Sequence, residues 1–470
     1  MFPLTRRGAR SIAVAAAAFG LAVALSLPAA AQAASITLQP KAGPPTRAVT
    51  VTGSEFGPGE TVDVTFEGEE VASATTDGSG GFQAGFGVPA GALPGLHEVT
   101  ASGETSGASA TAGFTVRTNW AQFRSSPRHH GYDPYENLLG PSNVSGMGLE
   151  WSYTPPVSPG GYVDSSPAVV NGVVYVGSAG LYAVDASTGS VRWHMVGVWI
   201  SSSPAVANGV VYVGSDDRNV YALKASTGKI LWSYPTGAEV YSSPAVANGV
   251  VYVGSDDHDV YALDASTGAL RWSFPTGDYV ISSPAVANGL VYVGSYDGNI
   301  YALDAQTGHE VWSYATGGNV FSAPAVAGGV VYVGPTNGSL SALDASTGRL
   351  RWSTAGVWAQ NSSPAVANGV VYVGSAYGET GKVYAIKART GTVLWATSMG
   401  GAVESSPAVA NGVVYVGCMD HNVYALDAST GAILWSYAAG SYFVSSPAVA
   451  NGIVYVGSSY PDGTLYAFGR

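Results

Sequence analysis

The chain has 470 residues, enough for roughly three domain-sized units. Only 11% are charged, against about 25% in ordinary domains, and 63 are glycine, which excludes coiled coils and Glu/Lys-faced helices and favours strands joined by turns. A net charge of −12 removes the basic footprint that nucleic-acid or anionic-membrane binding needs, and the single cysteine, Cys418, excludes an internal disulfide framework and any multi-cysteine metal or iron–sulfur site.

Residues 1–34 read as a secretory signal peptide. Arg6, Arg7 and Arg10 form a basic start, Ser11 to Leu27 is apolar, and Ala31-Gln32-Ala33 offers small cleavage-site residues. The apolar stretch is short for a membrane span, so cleavage is expected, giving a secreted or cell-envelope protein. Thr5-Arg6-Arg7 resembles the start of a twin-arginine signal, but Gly8-Ala9 departs from that pattern. No cysteine stands at the cleavage site to carry a lipid.

Residues 35–117 predict a small β-sandwich. Strands are expected at Ala48–Thr52, Thr61–Phe66, Val71–Thr75, Phe82–Val88, His97–Ser102 and Ala112–Val116, with turns such as Asp77-Gly78-Ser79-Gly80 between them. Gly53-Ser54-Glu55-Phe56-Gly57-Pro58-Gly59 and Thr76 to Phe82 resemble the IPT/TIG-type immunoglobulin-like modules of bacterial surface proteins, which implies a spacer or adhesive unit without chemistry. Residues 118–148 form a leader.

From residue 149 to 470 the chain repeats itself. Ser-Ser-Pro-Ala-Val-x-Asn-Gly-Val-Val-Tyr-Val-Gly-Ser recurs with small changes, its proline at Pro167, Pro204, Pro244, Pro284, Pro324, Pro364, Pro407 and Pro447. A second pattern, Ala-x-Asp-Ala-Ser-Thr-Gly-x-x-x-Trp, places Trp193, Trp232, Trp272, Trp312, Trp352, Trp395 and Trp435. A period near 40 with alternating apolar residues is a propeller signature. In the third repeat the strands are expected at Val240–Ala247, Val250–Gly254, Val260–Asp264 and Ala269–Phe274, with Asn248-Gly249 as a type I′ hairpin turn. Pro244 removes a ladder donor, so its strand belongs at the inner edge of the blade. The last repeat lacks its own tryptophan strand. Leu149-Glu150-Trp151-Ser152-Tyr153 matches Ile230-Leu231-Trp232-Ser233-Tyr234, so the N-terminal strand is expected to complete the blade that holds Gly457. The fold class is all-β: an eight-bladed propeller of four-stranded antiparallel blades behind a small sandwich.

Ala262-Leu263-Asp264-Ala265-Ser266-Thr267-Gly268-Ala269-Leu270-Arg271-Trp272 resembles the tryptophan-docking motif of pyrroloquinoline quinone (PQQ) repeats, found in quinoprotein dehydrogenases and in BamB-like scaffolds. Trp120-Ala121-Gln122-Phe123-Arg124 with Arg128 and Gly131 resembles the leader of such propellers. The resemblance implies that Trp151 and the seven motif tryptophans pack between blades on the motif glycine. Asp185, Asp264, Asp304, Asp344 and Asp427 are read as caps of the tight turn before the tryptophan strand.

A residue present in every blade serves the ring, so function is sought where blades differ. Three residues before each proline stand Asp164, Ser201, Tyr241, Ile281, Phe321, Asn361, Glu404 and Val444. Two residues earlier stand Tyr162, Trp199, Glu239, Tyr279, Asn319, Ala359, Ala402 and Tyr442. Both sets are expected on one channel mouth, joined by Asp216-Asp217, Asp256-Asp257, Asp297 and Asp420 from the turns between the second and third strands. The ligand- or cofactor-binding rim is therefore read as Tyr162, Trp199, Tyr241, Tyr279, Phe321 and Tyr442.

Quinoprotein dehydrogenases hold calcium with a Glu, an Asn and an Asp, so the resemblance implies a calcium set of Asp164, Asn361 and Glu404, oxygen donors that suit that ion. The same residues read more simply as a solvated polar rim, the reading preferred, and Val444 stands on the blade between Glu404 and Asp164. His129-His130 reads as a surface pair, His258 and His421 occupy equivalent turns of opposed blades, and Cys418 replaces a recurrent serine. No Ser–His–Asp arrangement can be assembled.

Two functions follow. One is an exported, monomeric, non-catalytic scaffold binding a protein, an extracellular polymer or a small ligand, with no cofactor. The other is a PQQ- and calcium-dependent dehydrogenase of an alcohol or sugar. The near-identical blades, the absent cysteine pair and the absent insertions favour the first.

Overall fold

The computed structural model describes residues 33–156, 162–377 and 380–470. The expected signal peptide lies outside the described residues up to residue 32. Among the described residues no helix is long and apolar enough to cross a membrane.

The N-terminal segment forms two sheets around one core. Ser35–Gln39, Ala48–Ser54 and Phe82–Gly87 make the first. Ala42–Gly43, Ser109–Val116, Gly95–Gly103, Thr61–Phe66 and Glu69–Thr75 make the second. Period-two alternation sends Val51, Val62, Val64, Val99 and Phe114 inward, where they are fully buried. All six expected strands are present. Ser35–Gln39 and Ala42–Gly43 are additional: Ile36 and Leu38 alternate with polar residues over too short a run to stand out beside the apolar segment before them.

The repeats form, among the described residues, eight antiparallel sheets of four strands, one of them extended by a short fifth. In the third, Ala245–Ala247, Val250–Gly254, Asp259–Asp264 and Leu270–Pro275 pair in chain order, and are called strands A to D here and at equivalent positions. Asn248 and Gly249 have φ of 50° and 76°, the left-handed pair that a type I′ turn requires.

Strand A is shorter than expected, because Ser242, Ser243 and Pro244 lie before it rather than within it. Their backbone is held by side chains instead of a ladder. The Ser242 hydroxyl accepts from Gly254 N at 3.0 Å and donates to Ser282 O at 3.2 Å on the next blade.

Inner strands touch in chain order, and the last touches the first. A second hydrogen-bond circuit follows them. Ser166 N donates to Ser203 Oγ, Ser203 N to Ser243 Oγ, and so on until Ser446 N reaches Ser166 Oγ at 3.0 Å. At one place it lacks a side chain: Ala323 stands where Ser283 N would find a hydroxyl, although Ala323 N itself donates to Ser363 Oγ at 3.0 Å.

Closure follows the sequence reading. Gly148–Tyr153 pairs with Leu465–Gly469 in the sheet containing Gly457, with Trp151 opposite Ala467.

The tryptophans join neighbouring blades as the resemblance implies. Trp151, Trp193, Trp232, Trp272, Trp312, Trp352 and Trp395 each donate Nε1–H to the alanine carbonyl of the next motif, at 2.8 to 3.2 Å. The ring lies over that motif's glycine: a Cβ on Gly268, whose φ is 74°, would sit 2.7 Å from the Trp232 indole. Trp435 differs. The next sheet carries the N-terminal strand in place of a motif turn, so Trp435 donates to Met147 O and packs on Phe468. The motif aspartates cap their turns as expected. The Asp264 carboxylate accepts from Ser266 N and Thr267 N, both at 3.0 Å.

The leader is not a surface linker. It seals one end of the channel by capping the inner strands. Val169 N donates to Trp120 O, Val206 N to Ala121 O, Val286 N to Pro127 O, Val326 N to Arg128 O, Val366 N to His130 O and Val409 N to Gly131 O, all between 2.6 and 2.9 Å. Gln122 Oε1 takes Val246 N, and Tyr132–Asp133 pairs in parallel with Ala408–Ala410. The reading of His129-His130 as a surface pair is therefore overturned. His129 is fully buried, and His130 is half-buried with its Nε2 2.7 Å from Val326 O. Propeller inner edges expose unpaired N–H groups, and the leader is what satisfies them.

Candidate mouth of the channel

The opposite end is built by the segments entering strand A and by the turns between strands B and C. Backbone bonds tie the two: Asp216 N to Trp199 O, Asp256 N to Glu239 O, Tyr296 N to Tyr279 O and Ser459 N to Tyr442 O. Both kinds of segment thus open on one face. Between the two rim positions, Val163, Ile200, Val240, Val280, Val320, Val403 and Phe443 point inward and are buried, so their neighbours face the mouth.

Ala359 is an exception. It is fully buried against Gly334, in the place other blades give to the intervening valine. Blade 6 has one extra residue before Pro364, so Trp358 takes the rim position, with φ of 51° and its ring over Gly338. Sequence alignment counted back from the proline does not see this bulge.

The aspartate pairs divide. Asp217, Asp257, Asp297 and Asp420 turn away from the mouth, accepting from the hydroxyls of Tyr221, Tyr261, Tyr301 and Tyr424 at 2.6 to 2.7 Å. They hold the turns. Asp216 and Asp256 remain at the mouth, each with a buried Oδ1 that has no partner, as has Asp164.

Asp164, Asn361 and Glu404 lie at this mouth. Asn361 Nδ2 donates to Glu404 Oε1 at 2.9 Å. Burial, with the Glu404 charge adding to it, pushes the Asp164 carboxyl up to about 6, against the hydrogen bond from Ser459 that lowers it. Burial and Glu239 likewise push Asp256 up to about 6. Asp164, Asn361 and Glu404 supply three oxygen-bearing side chains around one opening, and Asn361 holds Glu404 through its amide nitrogen, which leaves the amide oxygen unengaged by that bond. Among the described residues no group of three His, Cys, Asp or Glu stands at metal-binding spacing.

The aromatic rim is continuous only in parts. Tyr162 stacks on Trp199 with centroids 5.3 Å apart. Tyr279 meets His258 at 5.2 Å and Tyr296 at 5.9 Å, and Tyr296 meets Phe321 at 4.1 Å. Tyr442 packs on His421 at 4.6 Å, and Tyr241 lies among Asp216, Glu239 and Asp256. Tyr296 is a rim residue that the sequence reading missed. It stands where the neighbouring turns carry Asp216 and Asp256, and that substitution was the available signal. The mouth is therefore uneven in charge: blades 7, 1, 2 and 3 bring Glu404, Asp164, Asp216, Glu239 and Asp256 with Tyr162, Trp199 and Tyr241 among them, while blades 4 and 5 bring Tyr279, Tyr296 and Phe321 with Asp278 beside Tyr296. Cys418 is buried, with its thiol pushed up to about 12 by burial, and donates to Gly401 O. It is a packing residue.

Residues 160–354 match the family described as the β-propeller of beta-alanine-activating enzyme, and residues 379–469 match outer membrane protein assembly factor BamB. No curated protein matches the chain. Among solved structures, quinohemoprotein alcohol dehydrogenase from Comamonas testosteroni superposes with a TM-score of 0.66 at 18% identity, over 75% of this chain and 80% of that one. A europium-containing methanol dehydrogenase gives 0.63 at 17% identity, over 75% and 98%. BamB from Moraxella catarrhalis gives 0.59 at 20% identity, over 69% and 100%. Likeness at this identity is one of fold, and with the family matches it makes the ring a PQQ-like β-propeller.

Proposed function

We propose that this is an exported, non-catalytic binding protein, whose propeller presents this acidic, aromatic mouth to a protein, polymer or small ligand carrying a cation beside an aromatic or apolar group. The observation that carries the reading is that carboxylates gather on one arc of the mouth, with aromatic rings among and beyond them, on a ring whose packing residues repeat. Carboxylates recognise the cation, and the aromatic faces take the apolar part. The N-terminal sheets, which resemble an immunoglobulin-like module, serve as a spacer. The expected signal peptide and the BamB match support a secreted or envelope location.

The second reading, a PQQ- and calcium-dependent dehydrogenase, is favoured by the fold of the alcohol and methanol dehydrogenases and by the oxygen donors of Asp164, Asn361 and Glu404. The cofactor itself does not suit this lining. PQQ carries three carboxylates, and it would face Asp164, Asp216, Glu239, Asp256 and Glu404. The one arginine on these turns, Arg218, already lies 3.6 Å from Glu239. No catalytic step is derived through it.

The test combines two titrations on purified protein. A lysine- and tryptophan-containing peptide is expected to bind, and to be lost in an Asp164→Asn, Glu404→Gln double variant. PQQ with millimolar calcium is expected to leave no bound chromophore. Calcium is also titrated against the thermal melt of wild type and of a triple variant, Asp164→Ala, Asn361→Ala and Glu404→Ala. A bound chromophore, with calcium stabilisation absent from the triple variant, would replace the first reading by the second.

A further inference from the structure

The sealed end of the channel carries a feature that neither reading uses. Arg124 is 1% exposed and His129 fully buried, both on the leader at the propeller axis. Arg124 Nη1 donates to Pro407 O, but its Nε and Nη2 have no partner. Neither His129 ring nitrogen has one either, although the Pro324 carbonyl faces the ring. Two guanidinium nitrogens and at least one His129 ring nitrogen are thus buried without a protein acceptor.

No carboxylate answers the guanidinium among the described residues. The leader's own acids do not pair with it. Glu136 accepts from Leu138 N, Leu139 N and Gly452 N, and Asp133 accepts from Tyr135 N through Oδ1, its Oδ2 being buried without a partner and forming no ion pair with Arg124. Burial alone lowers Arg124, to about 9, which leaves it charged at neutral pH. Burial first, then the Arg124 charge, brings His129 down to about 3, so its ring is neutral and offers one N–H. A buried, unpaired cation is costly, and proteins neutralise it or pair it. A water molecule would satisfy the N–H groups but not the charge.

The neighbours are close. Gly131 has φ of 59°, and a Cβ there would come within 2.3 Å of Arg124 Nη2 and 3.0 Å of the Ala365 methyl, so the guanidinium packs directly on the leader backbone. Phe123 stands edge-on to His129 at 5.4 Å. The guanidinium carries one charge, and a monovalent ion of one atom balances it with less displacement of these neighbours than sulfate or phosphate.

We propose that the propeller axis holds one halide-sized monovalent anion between the Arg124 guanidinium and the His129 ring, and that this ion locks the leader into the channel. The test has two independent arms. Crystals grown in bromide are expected to show an anomalous peak within hydrogen-bond reach of Arg124 Nε or Nη2. Thermal melts in sodium chloride are expected to exceed those in sodium gluconate at equal ionic strength. Above the dissociation constant, each tenfold rise in halide should favour the folded state about tenfold, and Arg124→Met should lose this dependence. If Arg124→Met does not fold, the bromide arm on wild type still decides. Density without an anomalous signal at this position would overturn the proposal, as would identical wild-type melts in chloride and gluconate.

Discussion

Ala323→Ser tests whether the serine circuit holds the inner ring. Every second serine of the Ser-Ser-Pro motif accepts a backbone N–H from the blade before it, from Ser166 through Ser446 and back, at about 2.9 to 3.0 Å. Ser283 N is the one donor that faces a methyl group instead of a hydroxyl. Ala323 is 2% exposed, and its equivalents accommodate a serine, so the added Oγ meets no new neighbour. A new buried hydrogen bond contributes about 0.5–1.5 kcal/mol net. In a ring this large that raises the melting temperature by about 1–3 °C. The converse, Ser363→Ala, strips the acceptor from Ala323 N and is expected to cost about 1–3 kcal/mol, because a buried donor is left unpaired. Calorimetry on the two variants and wild type reads both signs. Should Ala323→Ser destabilise, or Ser363→Ala leave the melt unmoved, the circuit is a consequence of strand placement and not a contributor to it.

Trp272→Ala is expected to cost about 3–5 kcal/mol, as for other large-to-small core changes. The loss is packing, since Tyr252 also donates to Ala305 O at 3.0 Å and keeps that carbonyl paired; an unchanged unfolding midpoint would show the indole is not interfacial. Deleting residues 145–153 removes the strand beside Leu465–Gly469 and should produce concentration-dependent aggregation in light scattering, through the exposed edge of the last sheet. The mouth carboxylates set a pH dependence. Asp164 and Asp256 titrate near 6 when folded and near 4 when unfolded, so the folded state binds their protons more tightly. Their contribution is favourable at about pH 4 and is lost as pH rises through 6. The Asp164→Asn, Asp256→Asn variant should flatten the melting temperature between pH 4.5 and about 7. The turn aspartates, lowered by Ser and Arg partners, act in the opposite direction only below about pH 4.

The ring was legible in the sequence because each repeated residue answers one packing requirement. Trp272 needs a neighbour without a side chain, and Asn248-Gly249 needs two left-handed residues; both are local rules that spacing displays. Closure by Trp151 was legible for the same reason, as a motif strand found out of place. Three features were not. The leader's contacts are between residues far apart in the chain, and nothing in Pro127-Arg128-His129-His130 announces that its carbonyls cap inner strands. The bulge at Trp358–Ala359 preserves composition and shifts register by one residue, which counting from Pro364 hides. The division of Asp216 from Asp217 depends on a tyrosine four residues beyond the second, a side-chain bond that no motif length reveals.

These failures share a cause that bears on function. The indoles, the serine circuit and the leader together satisfy the blades' packing faces and inner edges with residues that every repeat can share. What remains less constrained is the single ring of positions just before strand A, where no repeated packing contact fixes the side chain and its identity can differ from blade to blade. At that ring the chain places Asp164, Ser201, Tyr241, Ile281, Phe321, Asn361, Glu404 and Val444, eight different side chains in eight equivalent positions. Asp164 in that ring, and Asp216 and Asp256 on the turns beside it, each keep a buried oxygen without a partner, although motif aspartates such as Asp264 are fully engaged in their turns. Unpartnered carboxylate oxygens raise the free energy of the isolated protein at neutral pH. A ligand that brings a cation to them recovers that free energy on binding. This is the physical reason to seek the partner at this mouth rather than on the face of repeated Ser-Thr-Gly turns.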